Sequence, residues 1–248
     1  MQRVPRSVRK RHIVRRHFDA LSPFYDVTSA KRARFFAREH SIIAQDMRSK
    51  GLAAALDVGA GTASRTVDLQ RASGARFDCC DISLRMVEIS KTKIPAAKQS
   101  DMVSLAYPSS AFDAVTCLGY SFSYLPNRRE RLGALREFSR VLKAGGTLYI
   151  DVANRWHLGE NNEYARTLAQ NLLKLPFGVS GETFFTVKVG GKRQPGYLHS
   201  FRLREMRALL RKAGFRVERV AFIGFTSGEI KQGISKHILG QPLIIARK

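Results

Sequence analysis

The sequence predicts an α/β protein: a doubly wound, mostly parallel sheet with an N-terminal helical lid and an insertion between the fifth and sixth strands. Three observations predict it. The stretch Ala55-Leu-Asp-Val-Gly-Ala-Gly-Thr-Ala63 reads as an apolar strand, a glycine-rich turn and the start of a helix. That layout lets backbone N–H groups approach a ligand closely. A second apolar segment ends in Asp81, 20 positions after Gly61, where a carboxylate can accept from both hydroxyls of a ribose. Finally, apolar strands alternate with helical segments, the pattern of a parallel sheet.

The elements follow in order. Residues 1–17 are Arg-rich and free of acids. They suit either a basic arm touching phosphate or a mitochondrial transit segment. A helix is expected over 31–48. Strands are expected at 53–57, 76–81, 112–118, 147–152, 216–222 and 243–247. Helices are expected at 63–71, at 83–93 with Ser83 as N-cap, and from Pro126-Asn127 to Val141, closed by Gly145-Gly146. A further helix is expected at 203–213. Residues 153–200 break the alternation, with a helix over 161–174 and a hairpin that begins at 183–189 and turns at Gly190-Gly191. The chain therefore divides into a basic arm and helical lid (1–50), a ligand-binding core (51–152), an insertion (153–200) and the closing part of the same α/β domain (201–248).

A length of 248 residues accommodates one large α/β domain with additions. No apolar run is long enough to span a membrane. Cys79, Cys80 and Cys117 fall in expected buried strands and lack metal-ligand spacing, which implies a reduced, cytoplasmic protein without a metal site. The net charge is +23, and it is uneven. Residues 1–40 carry 11 basic and 3 acidic side chains, and residues 186–248 carry 14 and 3, whereas the stretch between them is nearly balanced. Basic flanks attract polyanions such as RNA or anionic lipid, or they simply solvate the protein.

The glycine turn narrows the choice of nucleotide. A dinucleotide fingerprint places a third glycine where Ser64 stands, which disfavours NAD and FAD. Asp57, two residues before Gly59, would repel a pyrophosphate. It suits a ligand with a cationic end and no phosphate. At this point the chain resembles the class I S-adenosylmethionine (SAM)-dependent methyltransferases, whose first motif is an apolar strand, an acid and a Gly-x-Gly turn. Cys80-Asp-Ile-Ser83 is similar to their second motif, and Gln99-Ser-Asp-Met102 to their third. Phe112 to Leu118 and Arg140 to Ile150 are similar to their fourth and fifth strands, and Lys212-Ala-Gly-Phe215 to a late helix-to-strand junction. His17-Phe-Asp-Ala-Leu-Ser-Pro-Phe-Tyr-Asp26 resembles the entry segment of the quinone-biosynthesis and related small-molecule methyltransferases.

The resemblance implies a Rossmann-like fold and SAM as cofactor. It implies that Asp81 holds the ribose, Ile82 packs on adenine, Asp101 accepts from the adenine amino group and Tyr25 sits near the methionine end. Asp57, Gly59, Gly61, Thr62, Met102 and Leu118 complete the expected cofactor set. Methyl transfer from a sulfonium mainly requires alignment of the nucleophile, with a base where the nucleophile must lose a proton. Candidates for that role are His199, Tyr197 and Tyr120, with Tyr124 and His157 beside them. The expected activity is methylation of O, N or C on a small-molecule acceptor. Two alternatives stand: an RNA methyltransferase using the basic flanks, for which Tyr197-Leu-His-Ser-Phe201 is loosely similar to the tRNA wobble-uridine carboxymethyl methyltransferases, and a non-catalytic SAM-binding subunit. The oligomeric state is open.

Overall fold

A computed structural model describes residues 6–157, 181–189 and 191–248; the helix expected over 161–174 and the turn residue Gly190 lie outside the described residues. Along the chain, α1 (Arg6–Leu21), α2 (Tyr25–Ser29) and α3 (Ala33–Ser49) precede β1 (Ala54–Val58). Then come α4 (Ser64–Ser73), β2 (Arg76–Asp81), α5 (Leu84–Lys91), β3 (Lys98–Gln99) and β4 (Phe112–Cys117). They are followed by α6 (Arg128–Val141), β5 (Leu142–Asp151) and a hairpin of β6 (Glu182–Val189) and β7 (Lys192–His199). The chain closes with α7 (Leu203–Lys212), β8 (Arg216–Gly224), α8 (Ser235–Leu239) and β9 (Gly240–Arg247).

Seven strands form one sheet in the order β3-β2-β1-β4-β5-β9-β8. β1 is central because Ala55 to Val58 are all buried, as a parallel strand covered on both faces requires. β1 to β5 pair in parallel, while β9 runs against its neighbours β5 and β8. The sheet is therefore mostly parallel, as expected from the sequence. Its two faces are filled separately. Phe138, Leu135, Leu148, Ile150 and Met206 pack on one side, and Phe35, Ile43, Met47, Leu69 and Tyr149 on the other. Tyr149 also donates a hydrogen bond to Asp46 at 2.6 Å, tying α3 to β5. The outer strand β8 presents the exposed Arg216, Glu218 and Arg219 at the sheet edge.

The topology fixes the site. The chain leaves β1 to build β2 and β3 on one side, then returns to place β4 on the other. Such a reversal opens a crevice at the carboxyl ends of the two strands. The residues that follow β1 and β4 there are Gly59 and Gly119.

Local chemistry sets most boundaries. Ser83 caps α5, accepting from Met86 N at 3.2 Å. Asn127 caps α6 reciprocally: its Oδ1 accepts from Glu130 N at 2.9 Å, and its Nδ2 donates to Glu130 Oε1 at 2.8 Å. Asn127→Ala is expected to cost about 1 kcal/mol and to lower Tm by roughly 2–4 °C, measured by a thermal melt. One expectation fails. Gly145 and Gly146 do not close α6; the helix runs straight into β5, and both glycines lie inside that strand. The pairing of β5 with β4 slips between Phe112 and Ala114. A side chain on Gly146 would meet the Asp113 carbonyl at 3.0 Å, so this glycine serves a bulge.

The hairpin stands apart from the main sheet and packs against α1. Lys10 forms an ion pair with Glu182, and the His17 ring meets Phe185 edge-on at 5.8 Å. α1, far from being a free arm, joins the hairpin over the carboxyl end of the sheet.

Candidate cofactor site

A cavity open to solvent lies at the carboxyl ends of β1, β2 and β4. Its floor is the glycine turn. Gly59 and Gly61 have φ values of 74° and 59°, a region that favours glycine. Space demands glycine as well. A Cβ on Gly59 would stand 2.7 Å from Ser121, and one on Gly61 would stand 3.2 Å from the Tyr25 ring. Asp81 forms the next wall. Its Oδ2 accepts from Gly61 N and its Oδ1 from Ser83 N, each at 2.9 Å. These bonds stretch the carboxylate between the turn and the cap of α5. Burial pushes its pKa up to about 6, and its remaining lone pairs are free for a ligand.

Seven residues of the expected cofactor set line this cavity: Tyr25, Gly59, Gly61, Asp81, Ile82, Asp101 and Met102. Three do not. Asp57 is 2 % exposed, and its oxygens accept from Thr66 Oγ1 at 2.6 Å and Thr116 Oγ1 at 2.7 Å. It faces the underside of the turn, where burial raises its pKa. Thr62 is buried and donates to Asp26 Oδ1 at 2.6 Å, while Ser64 donates to the other oxygen at 2.8 Å. Thr62 and Ser64 thus dock α2 onto the turn. Leu118 is core, packed on the α3 side of the sheet.

Other residues enter the site unannounced. Gly119 and Ser121 come from the turn after β4, and Ser121 Oγ donates to the Gly59 carbonyl at 3.0 Å. The clue was a glycine directly after an apolar strand. Arg11, Val14 and Phe18 form the roof. They are spaced at i, i+3 and i+7, one face of a helix, but the arginines around them disguised the pattern. Arg11 reaches Asp101 and Glu130 at once. The carboxylate expected to meet an adenine amino group is thereby engaged by the roof.

The expected catalytic residues are mostly elsewhere. Tyr197 is wholly buried, with its hydroxyl donating to the Pro126 carbonyl at 3.3 Å. His199 is 3 % exposed, pairs with Glu205 at 2.9 Å, and has its pKa lowered by burial. His199 ties the hairpin to α7, Tyr197 ties it to the segment leading into α6, and neither lines the cavity. The Tyr120 hydroxyl is buried behind the cavity wall. His157 sits beside Phe225, with ring centroids 6.0 Å apart. Only Tyr124 faces the cavity. It packs edge-on against Phe18 at 4.9 Å, and burial pushes its pKa up to about 12. Among the described residues no group of three or more His, Cys, Asp or Glu side chains is placed to hold a metal ion.

Known proteins match this arrangement. A family model described as "Methyltransferase domain" matches residues 56–150, which run from the first strand through the fifth. That segment contains the glycine turn, Asp81, Asp101 and the turn after β4. Residues 56–150 are thus similar to a methyltransferase domain. Two curated proteins named demethylmenaquinone methyltransferase are similar to it. The one from Staphylococcus haemolyticus is 35% identical over 118 residues, covering 45% of this chain and 47% of its own. The one from Mycobacterium sp. strain KMS is 33% identical over 146 residues, covering 56% and 59%. The chain spans about half the length of these curated relatives. The SAM-bound amino pentose methyltransferase CalS10 of Micromonospora echinaspora superposes with a TM-score of 0.60 at 19% identity, covering 90% of this chain and 96% of its own. A possible histamine N-methyltransferase of Thermotoga maritima gives 0.61 at 19%, covering 95% and 98%. The structural likeness extends the methyltransferase fold beyond residue 150 to the closing strands.

Proposed function

We propose that the chain is a SAM-dependent methyltransferase acting on O, N or C of a small-molecule acceptor. The observation that carries this reading is the Asp81 carboxylate 2.9 Å from the Gly61 N–H, with both residues facing one cavity. The glycine floor leaves backbone within reach of a ligand that a Cβ would displace. These features fit SAM. Asp81 would accept from the ribose hydroxyls, Ile82 and Met102 would sandwich the adenine, and Asp101 would take its amino group once Arg11 turns aside. Tyr25 would flank the methionine end. Bound SAM supplies an electrophilic methyl group on sulfur.

The chain's own residues then do three things. Gly59, Gly61 and Asp81 fix the donor's position. Phe18, Leu125 and Tyr124 wall off water. Tyr124, with its hydroxyl held protonated near neutrality, donates a hydrogen bond to an acceptor oxygen or nitrogen and so aligns it. Positioning of this kind is the main demand of an in-line displacement from a good leaving group. The relatives' names favour a quinone-like acceptor. The RNA alternative loses support because Lys10 and Arg11 turn inward to Glu182, Glu130 and Asp101 rather than outward. Three buried free thiols suit a cytoplasmic location, and among the described residues no helix is long and apolar enough to cross a membrane. On this reading residues 51–152 bind the cofactor, while the lid and the insertion shape the acceptor pocket.

The test is labelled SAM incubated separately with a small-molecule extract and with total RNA. Label is expected in the first. Label in RNA, lost when Arg15 and Arg16 are replaced, would overturn the choice. Calorimetry should also show S-adenosylhomocysteine binding and no NAD binding.

A further inference from the structure

The basic excess of the C-terminal residues gathers along one edge of the sheet. α7 carries the exposed Arg204, Arg207 and Arg211, spaced at i, i+3 and i+7 on one helix face. β8, the edge strand, adds the exposed Arg216 and Arg219. Two adjoining cavities run between these elements. One is lined by Arg207, Arg211, Arg216 and Arg219, the other by Arg207, Arg219, Lys231 and Lys236. They share Arg207, Arg219 and Val220, so they form a single groove.

The charge of this groove is uncompensated. Among the described residues, Arg204, Arg207, Arg211, Arg219 and Lys236 make no ion pair. The groove's one acid, Glu218, already pairs with Lys50 at 2.8 Å and with Arg216 at 3.7 Å. Cations gathered in one cleft focus a positive field on whatever approaches it.

Between the charges the groove is apolar. Leu203, Val217, Val220 and Phe222 line it. Ile230 stands at its rim, 40 % exposed. Ile234, next to Gly233 of the same rim, is 85 % exposed, more than any other large hydrophobic side chain among the described residues. This rim is anchored to β8: Lys231 N donates to the Phe222 carbonyl and Gly224 N to that of Glu229, each at 2.8 Å. Cations around protruding aliphatic side chains suit the surface of an anionic bilayer, where the cations meet phosphate and the aliphatic tips enter the acyl boundary. Single-stranded nucleic acid calls instead for open aromatic faces on which bases stack. Phe215 and Phe222 are buried, and the His237 ring packs edge-on against Phe222 at 5.3 Å.

We propose that the edge formed by α7 and β8 docks the protein on an anionic phospholipid surface. Arg207, Arg211, Arg219 and Lys236 meet headgroup phosphates, and Ile230 and Ile234 insert between them. The proposal is independent of what fills the cavity at the glycine turn.

The test is co-sedimentation of the full chain with vesicles of phosphatidylcholine mixed with phosphatidylglycerol, and with vesicles of phosphatidylcholine alone. Binding is expected to the mixed vesicles only, and to weaken as salt is added. Arg207→Gln combined with Arg219→Gln is expected to weaken it roughly 25-fold, about fivefold for each charge removed. Ile234→Ser is expected to weaken it about fivefold. Arg85→Gln combined with Lys91→Gln removes the same charge from exposed positions of α5, beside the opposite edge strand β3. That control is expected to change binding by less than about twofold, since the attraction fades within a Debye length. An equal loss in the control, the mark of a response to net charge alone, overturns the proposal. So does a failure to bind the mixed vesicles. Binding of single-stranded oligouridylate that needs Arg207 and Arg219 but not Ile234, with none to vesicles, overturns it too and assigns the groove to nucleic acid.

Discussion

Asp81→Ala is expected to weaken S-adenosylhomocysteine binding by roughly tenfold to a hundredfold in a protein that still folds. The carboxylate would lose two charge-assisted hydrogen bonds to a ribose, worth about 1.5–3 kcal/mol together. The effect on stability is expected to be small because two changes oppose each other. The Gly61 and Ser83 N–H groups lose their acceptor. At the same time an acid that folding holds near pKa 6 is removed. The folded protein binds that proton more tightly than the unfolded chain does. The ionised group therefore costs stability as pH rises from about 4 to about 6, and the cost is complete above about 6. Ligand affinity has the opposite slope. It should fall by up to about tenfold per unit as pH drops below about 6, where the carboxyl becomes protonated. Calorimetry between about pH 5 and 8 checks both points. A flat profile for the unmutated protein, or an unchanged Kd in a folded Asp81→Ala, would reassign Asp81 to capping α5.

Asp57→Ala should do the reverse, with a large loss of stability and little change in the site. Thr66 and Thr116 are both 0 % exposed, and each donates its hydroxyl to this carboxylate. Removing it leaves two buried hydroxyls without an acceptor, at about 1–3 kcal/mol each. The urea midpoint should fall by an amount equivalent to about 2–5 kcal/mol. In whatever remains folded, the affinity for S-adenosylhomocysteine should stay within about threefold, because Asp57 does not reach the cavity. Asp57→Asn keeps one acceptor and should lie between. Lost binding with an unchanged midpoint would return Asp57 to the ligand.

The contrast between these two aspartates shows what the sequence could and could not carry. The strands were readable because each is a short apolar run closed by a turn. Asp81 was readable because its place at the end of a strand determines where it points. Asp57 lies within a strand, where side chains alternate between faces. Its direction depends on Thr116, its neighbour in register across β4, a pairing no local pattern announces. Tyr197 and His199 went astray for the same reason: they were placed in the right segment, but the hairpin turns them into its own contacts. Arg11 and Val14 belong to a segment whose charge suggested a free arm, and Phe18 to the entry segment that follows it. Only the tertiary contact with Asp101 and Glu130 shows that it is a wall.

A wall made from the first turns of a chain can also be a door. α1 covers the cavity and is fastened by Lys10 to Glu182 and by Arg11 to Asp101 and Glu130. Release of those fastenings would open a way for a nucleoside of SAM's size. Loading and discharge of the donor thus become opening events, distinct in time from the chemistry they bracket. The fastenings are partly exposed ion pairs, which salt loosens. Turnover limited by discharge should accordingly quicken as ionic strength rises, until the loosened helix no longer seals the cavity against water.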